Sequence, residues 1–389
     1  MRIALVSETY PPEVNGVALT VQALARGLAA QGHAIEIVRP RQPADPGAES
    51  GISSLLTRGA ALPRYPGLRF GLPEGHRLTA RWREWRPDAV YVATEGPLGR
   101  SALRTARRLG LPACTGFHTR FDDFVRHYGL GLLTPLVFAW LRRFHGRAAA
   151  TLVPTRELVE FLTARGFRHV RILRRAVDTS LFTPARHDPA LRAAWGLAAD
   201  DVAVVHVGRV AAEKNLALLT RAFRAIQREC PTARCVIVGD GPARAALESA
   251  NPDFVFAGMR HGEDLARHYA SGDLFLFPSL TETFGNVTLE AMASGLATVA
   301  FDYGAAREHI AHGLDGLRVT RGDEAEFLAA ASLFARDAQR RRAAGRLARE
   351  AVQALSPDAV IAAFVEILRS LTVDTVDEHC GSLESPRGI

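Results

Sequence analysis

Residues Pro278–Gly295 read PSLTETFGNVTLEAMASG, and this stretch decides the fold. Directly before it runs Asp273–Phe277, DLFLF, an apolar run of the length expected for a buried strand. A turn rich in Ser, Thr and Gly follows, and then good helix formers over Val287–Ser294. Two carboxylates bracket the joint. Glu282 lies in the turn and Glu290 in the helix, with seven residues between them. A helix start leaves backbone N–H groups without partners and places a positive dipole end behind them, an arrangement that binds phosphate. Gly285 lets a ligand approach the backbone with no Cβ in the way. The turn thus offers amides for an anion, around Phe284, Gly285, Asn286 and Val287, with a carboxylate on each side to accept from hydroxyls. A nucleotide-diphosphate sugar carries both kinds of group at that spacing. The plainer alternative is a strand–turn–helix joint whose acids are merely solvated, since acids are common in a first helical turn.

A second stretch shifts the balance. In Val207-Gly208-Arg209-Val210-Ala211-Ala212-Glu213-Lys214-Asn215 a strand ends, Arg209 follows at once, and Lys214 precedes the next helix. A planar guanidinium fork and a flexible ammonium at one strand end suit a diphosphate. A solvated basic turn is the alternative for this stretch alone.

With 389 residues, two domains are the prior, and 48% hydrophobic residues suffice for two cores. The net charge of +7 favours anionic partners. Aromatic–basic interleaving of the single-strand-binding type and zinc-finger spacing are both absent, so nucleic acid is not an expected partner. Cys114, Cys230, Cys235 and Cys380 are scattered without a CxxC and read as reduced core residues. The start, MRIALVSETYPP, reads as a first strand rather than a signal peptide, and no apolar run reaches bilayer length. The expected location is cytoplasmic, or on the cytoplasmic face of a membrane.

Strands alternate with helices in both halves, which predicts an α/β fold of two doubly wound parallel sheets. In the first half, strands are expected at Arg2–Val6, Ala34–Val38, Asp88–Ala93, Pro112–Phe117, Ala149–Val153 and Val170–Leu173. Pro40–Gly59 reads as a long loop, and helical pieces are expected at Asp122–Tyr128 and Leu132–Arg147. Asp178–Arg192, with two prolines and polar residues, reads as a linker. The second half restarts the same alternation and includes Val238-Gly239-Asp240-Gly241-Pro242 after a strand. Helices over Glu324–Arg336, Asp337–Leu355 and Pro357–Leu371 close the chain, and the polar tail is expected to be disordered. Ligands of such sheets bind beyond the carboxyl ends of the strands, where Gly16 and His118 lie.

Together these features resemble the retaining glycosyltransferase family 4, the group 1 type of the GT-B fold. The resemblance rests on Glu282 and Glu290 within PSLTETFGNVTLEAMASG, on GRVAAEKN (Gly208–Asn215) and VGDGP (Val238–Pro242). It rests also on SETYPPEVNGV (Ser7–Val17), FHTRFDD (Phe117–Asp123) and AVDTSLFTP (Ala176–Pro184), in the family's order over most of the chain. SETYPPEVNGV, FHTRFDD and DYGAAREHI (Asp302–Ile310) look most like bacterial mannosyltransferases that use GDP-mannose on lipid acceptors. Relatives using UDP-glucose or UDP-sulfoquinovose share the scaffold.

The resemblance implies two Rossmann-like domains facing across a cleft: residues 1–177 on the acceptor side and 178–356 on the nucleotide-sugar side. A helix over about 357–372 would return to the first domain, with 373–389 as a disordered tail. It also implies roles. Arg209 and Lys214 would bind the diphosphate, Glu282 the donor sugar's hydroxyls and Glu290 the ribose. Gly208, Gly239, Phe284, Gly285, Asn286 and Val287 would line the donor. His118 would reach the sugar's reacting face, and Gly16 would let backbone approach the diphosphate. Two departures bear on the acceptor side: Asn15 stands where many relatives have the first glycine of a Gly-Gly pair, and Arg174-Arg175-Ala176 stands where many have Pro-Asn-Gly. The expected reaction is a front-face hexosyl transfer without metal or cofactor, the two basic side chains replacing a cation. A nucleotide-sugar epimerase on the same fold, or a binding protein without catalysis, remains the rival.

Arg100, Arg104, Arg107 and Arg108 fall on one helical face, and LLTPLVFAWLRRFHGR (Leu132–Arg147) mixes aromatics with arginines. Such a surface suits an anionic bilayer and thus a lipid acceptor, but it equally suits a helix packed on a sheet.

Overall fold

The computed structural model describes residues 1–13, 15–42, 49–61, 69–118, 134–282 and 284–381. The chain divides into two compact units: Met1–Arg174 together with the segment from Pro357 onward, and Arg175–Ser356.

Unit 1 contains strands β1 (Arg2–Val6), β2 (Ala34–Pro40), β3 (Ile52–Thr57), β4 (Gly59–Ala61), β5 (Arg69–Gly71), β6 (Ala89–Val92), β7 (Ala113–Gly116), β8 (Ala150–Val153) and β9 (Val170–Ile172). Its helices are α1 (Gly16–Ala30), α2 (Gly75–Trp85), α3 (Pro97–Arg108), α4 (Thr134–His145) and α5 (Arg156–Thr163). Seven strands form one parallel sheet in the order β3-β2-β1-β6-β7-β8-β9. The central strands are buried on both faces, which is why they read as continuous apolar runs. Asn15 starts α1 by accepting from the Val17 and Ala18 amides at 3.1 and 2.9 Å. Pro97 opens α3, where its missing N–H costs nothing.

Within the expected loop over Pro40–Gly59, the structure instead places the strand β3 at Ile52–Thr57 and the start of β4 at Gly59. β3 pairs in parallel with residues 35–40 of β2, and β4 pairs antiparallel with β5. β3 is an edge strand with Ser53 and Ser54 exposed, so its sequence, ISSLLT, lacks a continuous apolar run. The piece expected at Asp122–Tyr128, and Thr119–Asp123 of FHTRFDD, lie outside the described residues.

In unit 2 follow α6 (Pro189–Ala194), β10 (Ala203–Val207), α7 (Leu216–Glu229), β11 (Arg234–Val238), α8 (Arg244–Ala250), β12 (Val255–Gly258), α9 (Gly262–Ala270) and β13 (Leu274–Phe277). Then come α10 (Asn286–Ala293), β14 (Ala297–Phe301), α11 (Gly304–His309), β15 (Leu317–Val319), α12 (Glu324–Arg336) and α13 (Ala338–Val352). The sheet is parallel with order β12-β11-β10-β13-β14-β15. Strand alternation splits its core into two layers. Phe275 and Phe277 join Val205, Leu289 and Met292 on one face, while Leu274 and Leu276 join Val204, Phe223 and Phe327 on the other.

The segment expected as a linker, Asp178–Arg192, is folded into unit 2. Arg192 is buried and pairs with Asp273 at 2.8 Å, and Arg186 pairs with Glu263 at 3.1 Å. Its prolines, Pro184 and Pro189, stand at helix starts after Thr183 and Asp188, so they initiate turns rather than break them.

The C-terminal helix runs Pro357–Gly381, beyond its expected end at Leu371 and into the tail expected to be disordered. Ile361, Phe364, Val365, Leu368 and Leu371 are buried in unit 1, with Phe364 edge-on to Tyr91 at 5.2 Å. Once packing fixes those turns, each added residue needs no new nucleus, so a polar continuation stays helical. The helical stretch Ala338–Thr372 has the length and hydropathy of a membrane span, but many of its apolar residues form this core contact. Residues 382–389 lie outside the described residues.

Candidate active site

The two anion-type stretches meet at the carboxyl end of unit 2's sheet. β10 delivers Gly208 and Arg209, and a short 3₁₀ turn, Ala212–Lys214, follows. β13 delivers Ser279, Glu282 and the start of α10. The Leu280 amide donates to the Glu213 carbonyl at 2.9 Å, which holds the two loops side by side.

Lys214 and Glu282, distant in sequence, form an ion pair between their Nζ and Oε1 atoms. Their side chains are 14% and 18% exposed. The Ser279 hydroxyl also donates to Glu282 Oε1, at 2.9 Å, and the Lys214 ammonium lies 5.4 Å from the Phe277 ring centroid. Arg209 is exposed and paired with Glu213 four residues on. Burial would raise the Glu213 carboxyl, but hydrogen bonding by its own backbone and by Arg209 holds it below its usual value.

Gly285 precedes α10 with φ +94°, a left-handed conformation that glycine adopts without strain. Phe284 is buried, and its carbonyl accepts from the Ala305 amide at 2.7 Å, fixing the turn from behind. The Asn286 and Val287 amides begin the helix, where no helical acceptor exists for them. Gly239 lies where a Cβ would stand 1.9 Å from the Gly208 carbonyl oxygen, so its role here is to let the two loops close on each other. Glu290 sits one turn into α10 and accepts from the Tyr269 hydroxyl at 2.9 Å. Burial pushes its carboxyl up to about 7 against that hydrogen bond.

Gly16 and His118 belong to unit 1. Gly16 is the first residue of α1, and a Cβ there would meet no atom within 4 Å, so no packing demands glycine. His118 follows β7, is 8% exposed, and its Nε2 lies 2.7 Å from the Tyr91 hydroxyl. A Cβ on Gly116 would stand 2.4 Å from that nitrogen.

Sequence reasoning missed the residues that hold these groups. Ser279 was inside the deciding stretch, but Tyr91 and Tyr269 carry no local signal. Glu8 was missed too. Its carboxylate, 8% exposed, accepts from the Leu98 amide at 2.9 Å and from Gly71, tying β1's end to α3 and β5. Burial pushes it up to about 7. Among the described residues no three His, Cys, Asp or Glu side chains cluster as metal ligands.

The profile of Glycosyltransferase Family 4 matches residues 14–181, and that of Glycosyl transferases group 1 matches 201–337. A GDP-mannose-dependent alpha-mannosyltransferase of Mycobacterium tuberculosis (strain CDC 1551 / Oshkosh) is 35% identical over 329 residues, 83% of this chain and 85% of that protein. The chain belongs to the group 1, family 4 glycosyltransferases. It is a hexosyltransferase. A second relative of this glycosyltransferase, the alpha-monoglucosyldiacylglycerol synthase of Acholeplasma laidlawii, is 27% identical over 77% of this chain and 80% of that protein. Its fold is GT-B. The solved sucrose-phosphate synthase of Thermosynechococcus elongatus superposes with a TM-score of 0.77 at 20% identity, covering 96% of this chain and 99% of that one.

Proposed function

We propose that this glycosyltransferase moves mannose from GDP-mannose to a hydroxyl of a lipid or glycan acceptor, with retention at the anomeric carbon. The observation that carries the reading is the convergence of Lys214, Arg209 and Glu282 beside the start of α10. Cations there face a leaving diphosphate, and the carboxylate faces donor-sugar hydroxyls. The likeness to the mycobacterial GDP-mannose enzyme supports the choice of donor. The glucosyl relative supports a second reading, a UDP-sugar donor on the same site.

In the proposed reaction the bond from the anomeric carbon to the phosphate oxygen breaks first. The acceptor oxygen bonds to the same face, and its proton passes to the departing phosphate oxygen. Arg209, Lys214 and the Asn286 and Val287 amides stabilise the charge that develops on that phosphate. Glu282 orients the sugar, Glu290 accepts from ribose, and Gly208, Gly239, Phe284 and Gly285 shape the loop around the donor. His118, its ring fixed by Tyr91, meets the sugar, and Gly16 admits the diphosphate. The two basic side chains make a metal unnecessary.

The same reading includes peripheral docking on the cytoplasmic face of an anionic membrane. It is supported by the exposed face of α3 and α4. Arg100, Arg104 and Arg108 line a groove of about 550 Å³ with Trp140, and Leu136 is exposed beside it. Arginines crowd there: burial first, then Arg100, Arg143 and Arg104, lower the Arg147 guanidinium.

The deciding experiment is a thermal-shift screen of nucleotide sugars, followed by product analysis with the donor that stabilises most. Stabilisation by GDP-mannose with an α-linked product supports the reading. Stabilisation by UDP-glucose alone transfers it to the second donor, and isomerisation of donor without an acceptor would make the protein an epimerase.

A further inference from the structure

A second concentration of cations lies at the carboxyl edge of unit 1's sheet, apart from the donor groups. Arg41 follows β2, Arg58 follows β3, Arg69 opens β5 and Arg77 stands in the first turn of α2. With Gln42 and Thr57 they line a pocket of about 390 Å³. Four guanidinium groups in one concavity repel one another unless something negative lies among them.

The described residues supply little that is negative. Arg58 Nε donates to Glu74 Oε1 at 2.9 Å. Arg69 Nη2 donates to the Gly59 carbonyl and Arg77 Nη1 to the Leu56 carbonyl, each at 2.6 Å. Backbone carbonyls fix the direction of a guanidinium without neutralising it. Arg41 is exposed, and among the described residues no carboxylate pairs with Arg41, Arg69 or Arg77. Two further donors lack partners among the described residues: Arg69 Nε and the Thr57 hydroxyl, both buried, with Thr57 only 2% exposed. Buried polar groups are nearly always satisfied, so two orphans lining one basic pocket are the mark of a missing acceptor.

Position adds to the argument. Parallel sheets take ligands beyond the carboxyl ends of their strands, where β2 and β3 deliver this pocket. Gln42, in its wall, donates to Glu13; Glu13 accepts from Thr9, and Thr9 from Asn15, the cap of the helix that Gly16 begins. The pocket is therefore wired to the loop that the proposed function assigns to the diphosphate.

We propose that this pocket binds the anionic group of the acceptor, a phosphate or carboxylate borne on a polyol, so that the enzyme selects acidic acceptors. The proposal rests on the transferase reading for the word acceptor, but not for the binding itself. Arginine forks match both phosphate and carboxylate in bidentate geometry, and the Thr57 hydroxyl and Arg69 Nε complete the donor set. Lipid-borne and soluble polyol anions share this chemistry.

The test uses the full chain saturated with GDP, so that the donor groups near Arg209 are already occupied. Glycerol 3-phosphate is titrated by calorimetry, with glycerol as the neutral control. The expected result is binding of the phosphate ester alone, weakened about tenfold in Arg41→Gln and again in Arg69→Gln, with the Kd for GDP unchanged. The Arg41 side chain is exposed and has no carboxylate partner among the described residues, so its variant reads the pocket even if Arg69→Gln unfolds. Absence of binding in the GDP-saturated protein overturns the proposal. So does binding that survives both substitutions, or that disappears in Arg209→Ala instead. Phosphatidylglycerol vesicles distinguish the sources. Vesicle binding that glycerol 3-phosphate competes away and Arg69→Gln abolishes assigns a lipid headgroup; vesicle binding indifferent to both, with the ester still bound, assigns a soluble anion. A protein that ignores GDP-mannose but binds the ester in the pocket would refute the GDP-mannose reading and leave the anion site standing.

Discussion

Replacing Lys214 is predicted to slow turnover by two to three orders of magnitude. The magnitude follows from its place. In the proposed reaction its ammonium is one of two cations serving the leaving diphosphate, and removing one preorganised donor from a developing oxyanion costs about 2.7–4 kcal/mol. The ion pair with Glu282 adds a separate effect. In Lys214→Ala the Glu282 carboxylate keeps, among the described residues, only the Ser279 hydroxyl, and a part-buried acceptor that loses its partner costs about 1–3 kcal/mol of stability. The two effects separate by design. Lys214→Met keeps the stem over Phe277, and combining it with Glu282→Gln removes the stranded charge. Unfolding curves should show the double variant recovering most of the lost stability. Steady-state kinetics with GDP-mannose should show it still slow, because neither change restores a cation to the phosphate. A folded Lys214→Met enzyme within tenfold of wild-type kcat would refute the reasoning, because the pair would then only hold two loops together.

Four further outcomes follow from the same geometry. Arg209→Ala should also cost about a hundredfold in kcat, roughly 3 kcal/mol, but with little change in stability, because its pair with Glu213 is exposed; equal losses of both would contradict the diphosphate role. Activity should survive EDTA if, as proposed, two basic side chains serve the diphosphate, and loss on chelation restored by magnesium or manganese would contradict this. Glu290, with its carboxyl raised to about 7, holds a proton more tightly folded than unfolded, so its stabilising contribution is complete below about 4.5 and is lost as pH rises through 7. Stability should therefore fall by up to about 3 kcal/mol from this site between pH 4.5 and 7, and Glu290→Gln should flatten that slope; parallel curves for variant and wild type would refute it. The protein should float with anionic liposomes at low salt, less so as salt rises or when Arg104, Arg107 and Arg108 become Glu, and indifference to such liposomes would point to a soluble acceptor.

Much of the fold was legible because its central strands are buried on both faces. DLFLF has the length and apolar continuity of a buried strand, and β1, β6 and β8 read the same way. What the sequence hid lies where burial is one-sided or partners are distant. β3 shows Ser53 and Ser54 to solvent, and β4 and β5 are three residues each, too short for periodicity. The six-residue α11 was missed for the same reason. At the site, Glu282 and Glu290 were visible from their spacing, but their neighbours were not. Lys214 reaches Glu282 only because β10 and β13 are adjacent strands, and Tyr269 reaches Glu290 from the preceding helix, α9. Pairings of that kind come from strand order, which no local pattern encodes.

Strand order also explains a contrast between the two basic regions. At the end of β10 and β13, each cation already has a carboxylate: Arg209 has Glu213, and Lys214 has Glu282. An anion entering there must exchange with those carboxylates, and a simple phosphate would leave Glu282 stranded. A ligand that brings a diphosphate and sugar hydroxyls together would satisfy both halves of the broken pair, so under the proposed function the resting pair would discriminate for nucleotide sugars. At the ends of β2 and β3 only Arg58 has such a partner among the described residues, while Thr57 and Arg69 keep buried donors unmet. On the proposal above, an anion entering that pocket has only the Arg58–Glu74 pair to exchange with among the described residues. A balanced site that demands a composite ligand, and an unbalanced one that accepts an anion, are what a transferase needs if it must recognise its donor in detail and its acceptor by charge.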